Sequence, residues 1–397
     1  MSSAANAHSV LASPDFDVLR ERAYNLRWAS VEPGVIPLTA ADPDFPVAPE
    51  VVEAIANYIA RPHLCYGPAA GLAPFREAVA AHFNVNKGAQ VDPCSVTATN
   101  AAASAIALVA RHLLRAGDEV IVQDPVDFLV AESVRRAGGT IRFWRHDRGR
   151  FTRHTLRAAV TEKTRAIFVC HPHNPMGTLW SDDEVRGIAA FAAERGLAIV
   201  SDEVWSDTVL DGRLFTSFAA AQQGGAQPWV IYGLSKGFAL AGLRIGAVIA
   251  PTGKDADAFR ADAGFDHTIE GASTISQVAA TAALEKCGAW QNAFLEHIAA
   301  QRVHAIERLR ALDGVEISEL TEATFVVFPR ITETGIDEEE FTQRIERYAR
   351  VRVVAGSPRW FGNGARGHIR LSLATTPQTL DEALDRMQRS WSKILAR

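Results

Sequence analysis

The chain has 397 residues, 48% of them hydrophobic and 22% charged, with a formal net charge of −5. That length calls for two domains rather than one small core, and the acidic balance, with no Lys/Arg cluster, excludes a nucleic-acid-binding footprint. Apolar runs such as "LAIV" and "AVIAP" fall far short of the roughly 20 residues of a membrane span.

In chain order, residues 1–30 mix Asp, Glu and Arg with apolar residues, so no secretory signal is expected. "ASAIALVARHLL" reads as a buried helix stopped by Gly117, and "DEVIVQDP" as a short strand. "ESVRRAGG" closes a helix, "TIRFWR" is a strand, "HTLRAAVT" a helix, and "RAIFVCHPHNP" a strand ended by Pro172 and Pro175. "SDDEVRGIAAFAAERG" opens with Ser181 as N-cap and Glu184 three residues on, a capping box with acidic residues at the positive helix end. The strands "LAIVSDEVW", "WVIYG" and "RIGAVIAP" follow. Short apolar strands alternating with helices predict a mostly parallel sheet covered on both faces. After residue 270 the pattern changes. A long helical stretch, broken near Gly288, precedes strands "VEISEL" and "TFVVFPRI", a helix "DEEEFTQRIERYA", strands "VRVVAG" and "HIRLSLA", and a last helix from Gln378. The expected division is 1–45 as an N-terminal segment, 46–275 as a large domain and 276–397 as a smaller α/β domain.

Cys65, Cys94, Cys170 and Cys287 form no C-x-x-C pair, which suits neither a disulfide framework nor a zinc site. "CHPHNP" sets His171 two residues from His173 without further ligands at metal spacing, so no metal is expected. A reduced, cytoplasmic protein follows from that usage.

In a parallel sheet the chemistry sits at the carboxyl ends of the strands. His173-Asn174, Asp202-Glu203 and Ser235-Lys236 all fall at such ends, with Arg244 close behind Lys236 in "SKGFALAGLRIG". A lysine in a cleft loses charge through burial and is suited to forming an imine. A carboxylate suits a pyridine nitrogen that must stay protonated, and a guanidinium suits a phosphate. Glu203 and Asp207 read as solvated or structural rather than catalytic.

On these motifs the chain resembles the fold-type-I pyridoxal-phosphate enzymes, specifically the class I/II aminotransferase family. The likeness runs through "PLTAADPDFPVAPEVVEAI", "YGPAAGLAPFREAVAAHF", "HNPMGTLW", "SDEVW", "SKGFALAGLRIG" and "HIRLSLAT", in order. It implies an aspartate aminotransferase-like fold: a large domain with a mostly parallel, seven-stranded-type sheet and a smaller C-terminal α/β domain. It implies that Lys236 holds pyridoxal 5'-phosphate as a Schiff base and moves the Cα proton, and that Asp202 pairs with the pyridine nitrogen. Asn174 would donate to the cofactor's 3′-oxygen, and Ser235, Arg244 and the amides of Ala102 and Ala103 would bind the phosphate. Tyr66 would reach the phosphate in the neighbouring subunit of a homodimer. Arg370 would fork onto the substrate α-carboxylate, with Asn174 and a backbone amide near Ala41 also at the substrate.

Three positions depart from the family pattern. Asp127 stands where an aromatic stacks on the cofactor ring, with Phe128 one place later; Trp205 replaces a tyrosine; Gly233 replaces a phosphate-binding serine. Thr39, Arg359 and Trp360 are expected to shape the substrate pocket. The implied activity is amino transfer between an amino acid and a 2-oxo acid. Elimination in the manner of a cystathionine β-lyase, which the motifs "ADPDFP" and "HNPMGTLW" also resemble, or another reaction at the amino-acid Cα, is the alternative.

Overall fold

Seven short strands form the central sheet of the computed structural model, which describes residues 10–224, 227–317 and 321–396. Across the sheet they run Val96–Thr99, Gly246–Ile249, Pro228–Gly233, Ala198–Asp202, Thr164–Cys170, Glu119–Asp124 and Thr140–Arg145. Most of their residues are buried, as expected for strands covered by helices on both faces. The edge strand Thr140–Arg145 differs: Arg142 and Arg145 are exposed while Trp144 is buried, and edge charges discourage pairing with another chain. Gly246–Ile249 runs against both neighbours. The chain between it and Pro228–Gly233 holds only a short 3₁₀ turn, Ala241–Leu243. A parallel return would have needed a longer crossover, commonly a helix.

Local signals set the helices. Asp182–Glu194 starts at the anticipated capping box, with the Ser181 amide donating to Glu184 (2.8 Å) and the Glu184 amide to Ser181 Oγ (3.3 Å). The helical stretch after residue 270 is two helices, Thr274–Lys286 and Gly288–Arg310, parted at Cys287. The first packs on Pro49–Ile59 and Ala73–Asn86. Trp290, Phe294 and Ile298 of the second belong to the core beneath the large sheet.

Farther along the same helix, Ala305, Ile306 and Leu309 enter a second core. It is completed by Phe341, Ile345, Leu371, Leu380 and Met387, and by Trp28, Ile36 and Leu38 of the N-terminal segment. Ile36–Pro37 pairs parallel with Val351–Arg352, and Ile369–Ser372 lies between Val354–Ala355 and Val326–Val327, antiparallel to both. The strand expected over "TFVVFPRI" is thus only two residues long. "VEISEL" supplies a single bridge, Glu316 to Arg330, and Ser318–Leu320 lie outside the described residues. Arg27 and Trp28 anchor the N-terminal segment: Trp28 Nε1 donates to Asp44 (2.8 Å), and Arg27 pairs with the same carboxylate and donates to the Pro37 carbonyl (2.9 Å). Residues 40–42 are thereby held between the two cores. Among the described residues, no helix is long and apolar enough to cross a membrane.

Candidate active site

Strand register brings Cys170 beside Asp202 and Asp202 beside Ile231. The loops beyond these ends enclose a cavity of about 490 Å³. Lys236, Asp202, Asn174, Trp205, Ser235 and Arg244 line it, as do Ala41, Ala102, Ala103, Phe128 and Arg370. Apart from Tyr66, every cofactor- and substrate-binding residue named from the motifs therefore meets in one place, while Thr39 and Arg359 lie outside the lining.

The Lys236 amine donates to the Ala41 carbonyl and lies 5.5 Å from the centre of the Trp205 ring. Burial lowers its pKa, and the charges of Asp42 and Asp127 oppose that shift. A lysine so placed has more of the neutral amine that nucleophilic chemistry requires. Asp202 accepts from the Val204 amide (3.2 Å). Burial pushes its carboxyl up to about 7, with Lys236 pulling the other way. A cationic group laid against it would return it to the ionised form.

The other end of the cavity suits an anion. Helix Ala101–Leu113 begins there, and its N-cap Asn100 makes no side-chain hydrogen bond to the first-turn amides. Free amides and the positive end of a 13-residue helix attract a phosphate. Arg244 adds a guanidinium that forms no ion pair among the described residues, on a backbone with φ of 51°. Two glycines keep this end open. A Cβ at Gly246 would lie 2.7 Å from the Ala102 nitrogen, and one at Gly233 would lie 2.9 Å from Val204 Cγ2. The crowding at 233 explains why no serine stands there.

Opposite Lys236, the Arg370 guanidinium donates to Asn174 Oδ1 (3.1 Å) and to the Thr39 carbonyl (3.2 Å) and lies 4.9 Å from the centre of the Phe361 ring. Burial lowers its pKa to about 10, against the charge of Asp127. The guanidinium still carries the charge at neutral pH, in a setting where a carboxylate is a strong partner.

Several expectations are corrected in detail. Thr39 does not shape the cavity with its side chain; its hydroxyl turns back to the Leu26 carbonyl, and only its own carbonyl matters to Arg370. Trp360 lines the cavity, whereas Arg359 stacks on the Trp360 ring (4.7 Å) outside the lining. Glu203 and Asp207, expected to be solvated or structural, are buried, which favours the structural role. Glu203 accepts from the Phe218 amide (2.8 Å). Asp207 collects Lys87 (2.6 Å), His82 (2.7 Å) and the Tyr232 hydroxyl (2.6 Å). Burial alone would raise the Asp207 carboxyl, but Lys87 and His82 outweigh it and hold it down. His171 stacks on Phe215 (4.8 Å), and His173 meets the Pro125 carbonyl (3.0 Å). Tyr66 is 93% exposed and does not reach the cavity of its own chain.

Two carboxylates of the cavity were not identified from the sequence as site residues: Asp42 and Asp127. Burial raises the Asp42 carboxyl, and the Lys236 charge opposes it. Its adjacency to Ala41 was the available signal. Asp127 was noted only as a missing aromatic.

The chain has counterparts among known proteins. Residues 33–387 match the family model for aminotransferase class I and II. An aromatic-amino-acid aminotransferase of Thermococcus litoralis is 30% identical over 366 residues, 90% of this chain and 91% of its own. An aspartate aminotransferase of Thermus thermophilus, solved with maleate, superposes with a TM-score of 0.81 at 29% identity, covering 97% of this chain and 98% of that one. A pyridoxal-phosphate-bound putative aminotransferase of Clostridium difficile shares the fold with a TM-score of 0.87 over 98% of this chain and 99% of that one, at 20% identity. From these matches, and from a cavity that pairs a lysine amine and a buried carboxyl with an anion-seeking helix start, it follows that the chain belongs to the class I and II aminotransferase family, transferases that use pyridoxal phosphate and share the aspartate aminotransferase-like fold.

Proposed function

We propose that this enzyme moves an amino group between an L-amino acid and a 2-oxo acid, with Lys236 as the residue that holds the cofactor and carries the proton at the substrate Cα. The carrying observation is that the Lys236 amine and the Arg370 guanidinium open onto one cavity, with Asp202 and Asn174 lining it as well. When bound, pyridoxal phosphate supplies an electron-accepting ring for the substrate nitrogen. Asp202 keeps a proton on the ring nitrogen, and that cation in turn offsets the burial that otherwise raises its carboxyl. Ser235, Arg244 and the amides of Ala102 and Ala103 bind the phosphate. Asn174 donates to the ring oxygen, and Trp205 packs beside Lys236. Phe128 reaches the mouth against Trp360 (ring centres 5.8 Å apart). Arg370 takes the α-carboxylate and, with the backbone at Ala41, turns the Cα–H bond toward Lys236.

The exposure of Tyr66, with Leu64 60% exposed nearby and Ile269 75% exposed, supports a homodimer in which Tyr66 completes the partner's phosphate site. Four free cysteines and a net charge of −5 support a cytoplasmic enzyme that binds no nucleic acid.

The test is a spectral screen of the cofactor-bound enzyme with single amino acids, watching for conversion to the pyridoxamine form. A substrate should convert unaltered enzyme. Lys236→Ala should bind cofactor through its phosphate yet leave it unconverted; wild-type turnover by that variant would end the proposal. Pyruvate released from cystathionine without added oxo acid would assign the β-lyase reaction instead.

A further inference from the structure

Asp127 is the N-cap of helix Phe128–Arg136, and its two oxygens do different things. Oδ1 accepts from the Leu129 amide (3.1 Å), closing the cap. Oδ2 accepts from Asn174 Nδ2 (3.0 Å), across the cavity lining. Asn174 Oδ1 in turn accepts from Arg370 Nη1 (3.1 Å), and Arg370 Nη2 donates to the Thr39 carbonyl (3.2 Å). The order of donors and acceptors fixes the amide. An ionised carboxylate can only accept and a guanidinium can only donate. Asn174 must therefore turn its nitrogen to Asp127 and its oxygen to Arg370. With the amide reversed, two N–H groups would face each other at Arg370.

From this geometry we infer that Asp127 is a positioning residue for substrate carboxylate recognition: it locks the Asn174 amide, and through it the Arg370 guanidinium, in the rotation that leaves N–H groups facing the cavity. The inference rests on the reading of Arg370 as the carboxylate clamp. Arg370 has few other restraints. Its Nε is buried without a hydrogen-bond partner, and apart from Asn174 it is held by one carbonyl and the Phe361 ring. The second Asn174 N–H is not used in this chain of hydrogen bonds. A hydrophobic ring at 127 could not perform this task, which gives a reason for the carboxylate in this chain.

The test separates the cap from the lock. Asp127→Ser keeps a capping hydroxyl but has no second oxygen to reach Asn174; Asp127→Ala loses both. Cofactor-bound enzyme is titrated calorimetrically with acetate, succinate and 3-phenylpropionate, and each variant is also made in the Arg370→Ala background. Asp127→Ser should weaken the best-bound carboxylate by about tenfold, the scale of one charge-assisted contact. It should leave the cofactor dissociation constant and the melting temperature near wild type, and should cause no further weakening once Arg370 is gone, because the two act as one unit. Wild-type carboxylate binding by Asp127→Ser, or an equal loss with and without Arg370, overturns the inference. If Arg370→Ala weakens binding and Asp127→Ser does not, this inference alone fails. If Arg370→Ala has no effect, or the unaltered enzyme binds none of the three acids, the clamp reading itself fails and takes this one with it.

Discussion

Asp207 stands directly behind the chain that carries Lys236, so closely that a Cβ added at Gly237 would collide with its own Cβ. The backbone after the lysine is thus seated on a buried carboxylate that Lys87, His82 and Tyr232 hold in place. The lysine's position depends on a network that never touches the cavity.

Gly237→Ala should displace that seat. Overpacking of this kind costs about 1–3 kcal/mol, and the strain falls on the residue next to Lys236. A lower melting temperature together with weaker cofactor absorbance is expected. Full stability and full cofactor binding would mean that the loop yields without moving the lysine.

Asp202→Asn should retain cofactor but lose most turnover, by roughly tenfold or more, because a neutral amide cannot keep the ring nitrogen protonated. Steady-state rates at several pH values between about 6 and 9 are the measurement, spanning the value of about 7 to which burial raises the carboxyl. Recovery of wild-type rate at the acid end would reduce Asp202 to a charge-balancing role.

Arg370→Ala should raise KM for the best amino acid by about tenfold or more, the equivalent of about 1.5–3 kcal/mol for a charged hydrogen-bonded contact. kcat should fall as well, since the clamp also orients the Cα–H bond. A small amine without a carboxylate, if it reacts, should be almost unaffected. Unchanged constants for the amino acid would make Arg370 structural.

Acid should destabilise the fold through His171 and His173. Burial lowers both from an ordinary value of 6.5 to about 3. Between those values the unfolded chain binds protons that the folded chain does not, so stability falls as pH drops through 6.5 toward 3 and is unaffected by these groups above it. At about pH 5 each histidine accounts for roughly 2 kcal/mol. His171→Phe, which keeps an aromatic ring against Phe215 and Trp180, should flatten the fall in melting temperature between about pH 7 and 5. An unchanged slope would show that His171 carries none of it.

What could be read from the sequence was local or carried by motifs. The capping box at Ser181 and Glu184 is contained in four residues, and the helix break near Gly288 proved to lie at Cys287. Lys236, Asp202, Asn174 and Arg370 were found by motifs that carry a recognisable order. Pairing between distant segments was not readable. Val326–Val327 is a strand only because Ile369–Ser372 lies beside it. Gly246–Ile249 has the composition of the parallel strands of the same sheet, and the direction in which it runs is set by the length and turn of its connection. Asp42 and Asp127 were passed over for the same reason: each comes near Lys236 only once segments far apart in the sequence have folded together.

The cavity draws on residues near positions 41, 127, 174, 202, 236 and 370, and that spread has a consequence for synthesis. As the chain leaves the ribosome, Lys236 and the start of helix Ala101–Leu113 can be in place while Arg370 is still untranslated. The strand that bears Arg370 then has to insert between two segments already made, Val326–Val327 and Val354–Ala355. A nascent chain halted before it would have the lysine side of the cavity without the buried guanidinium that Arg370 adds to it.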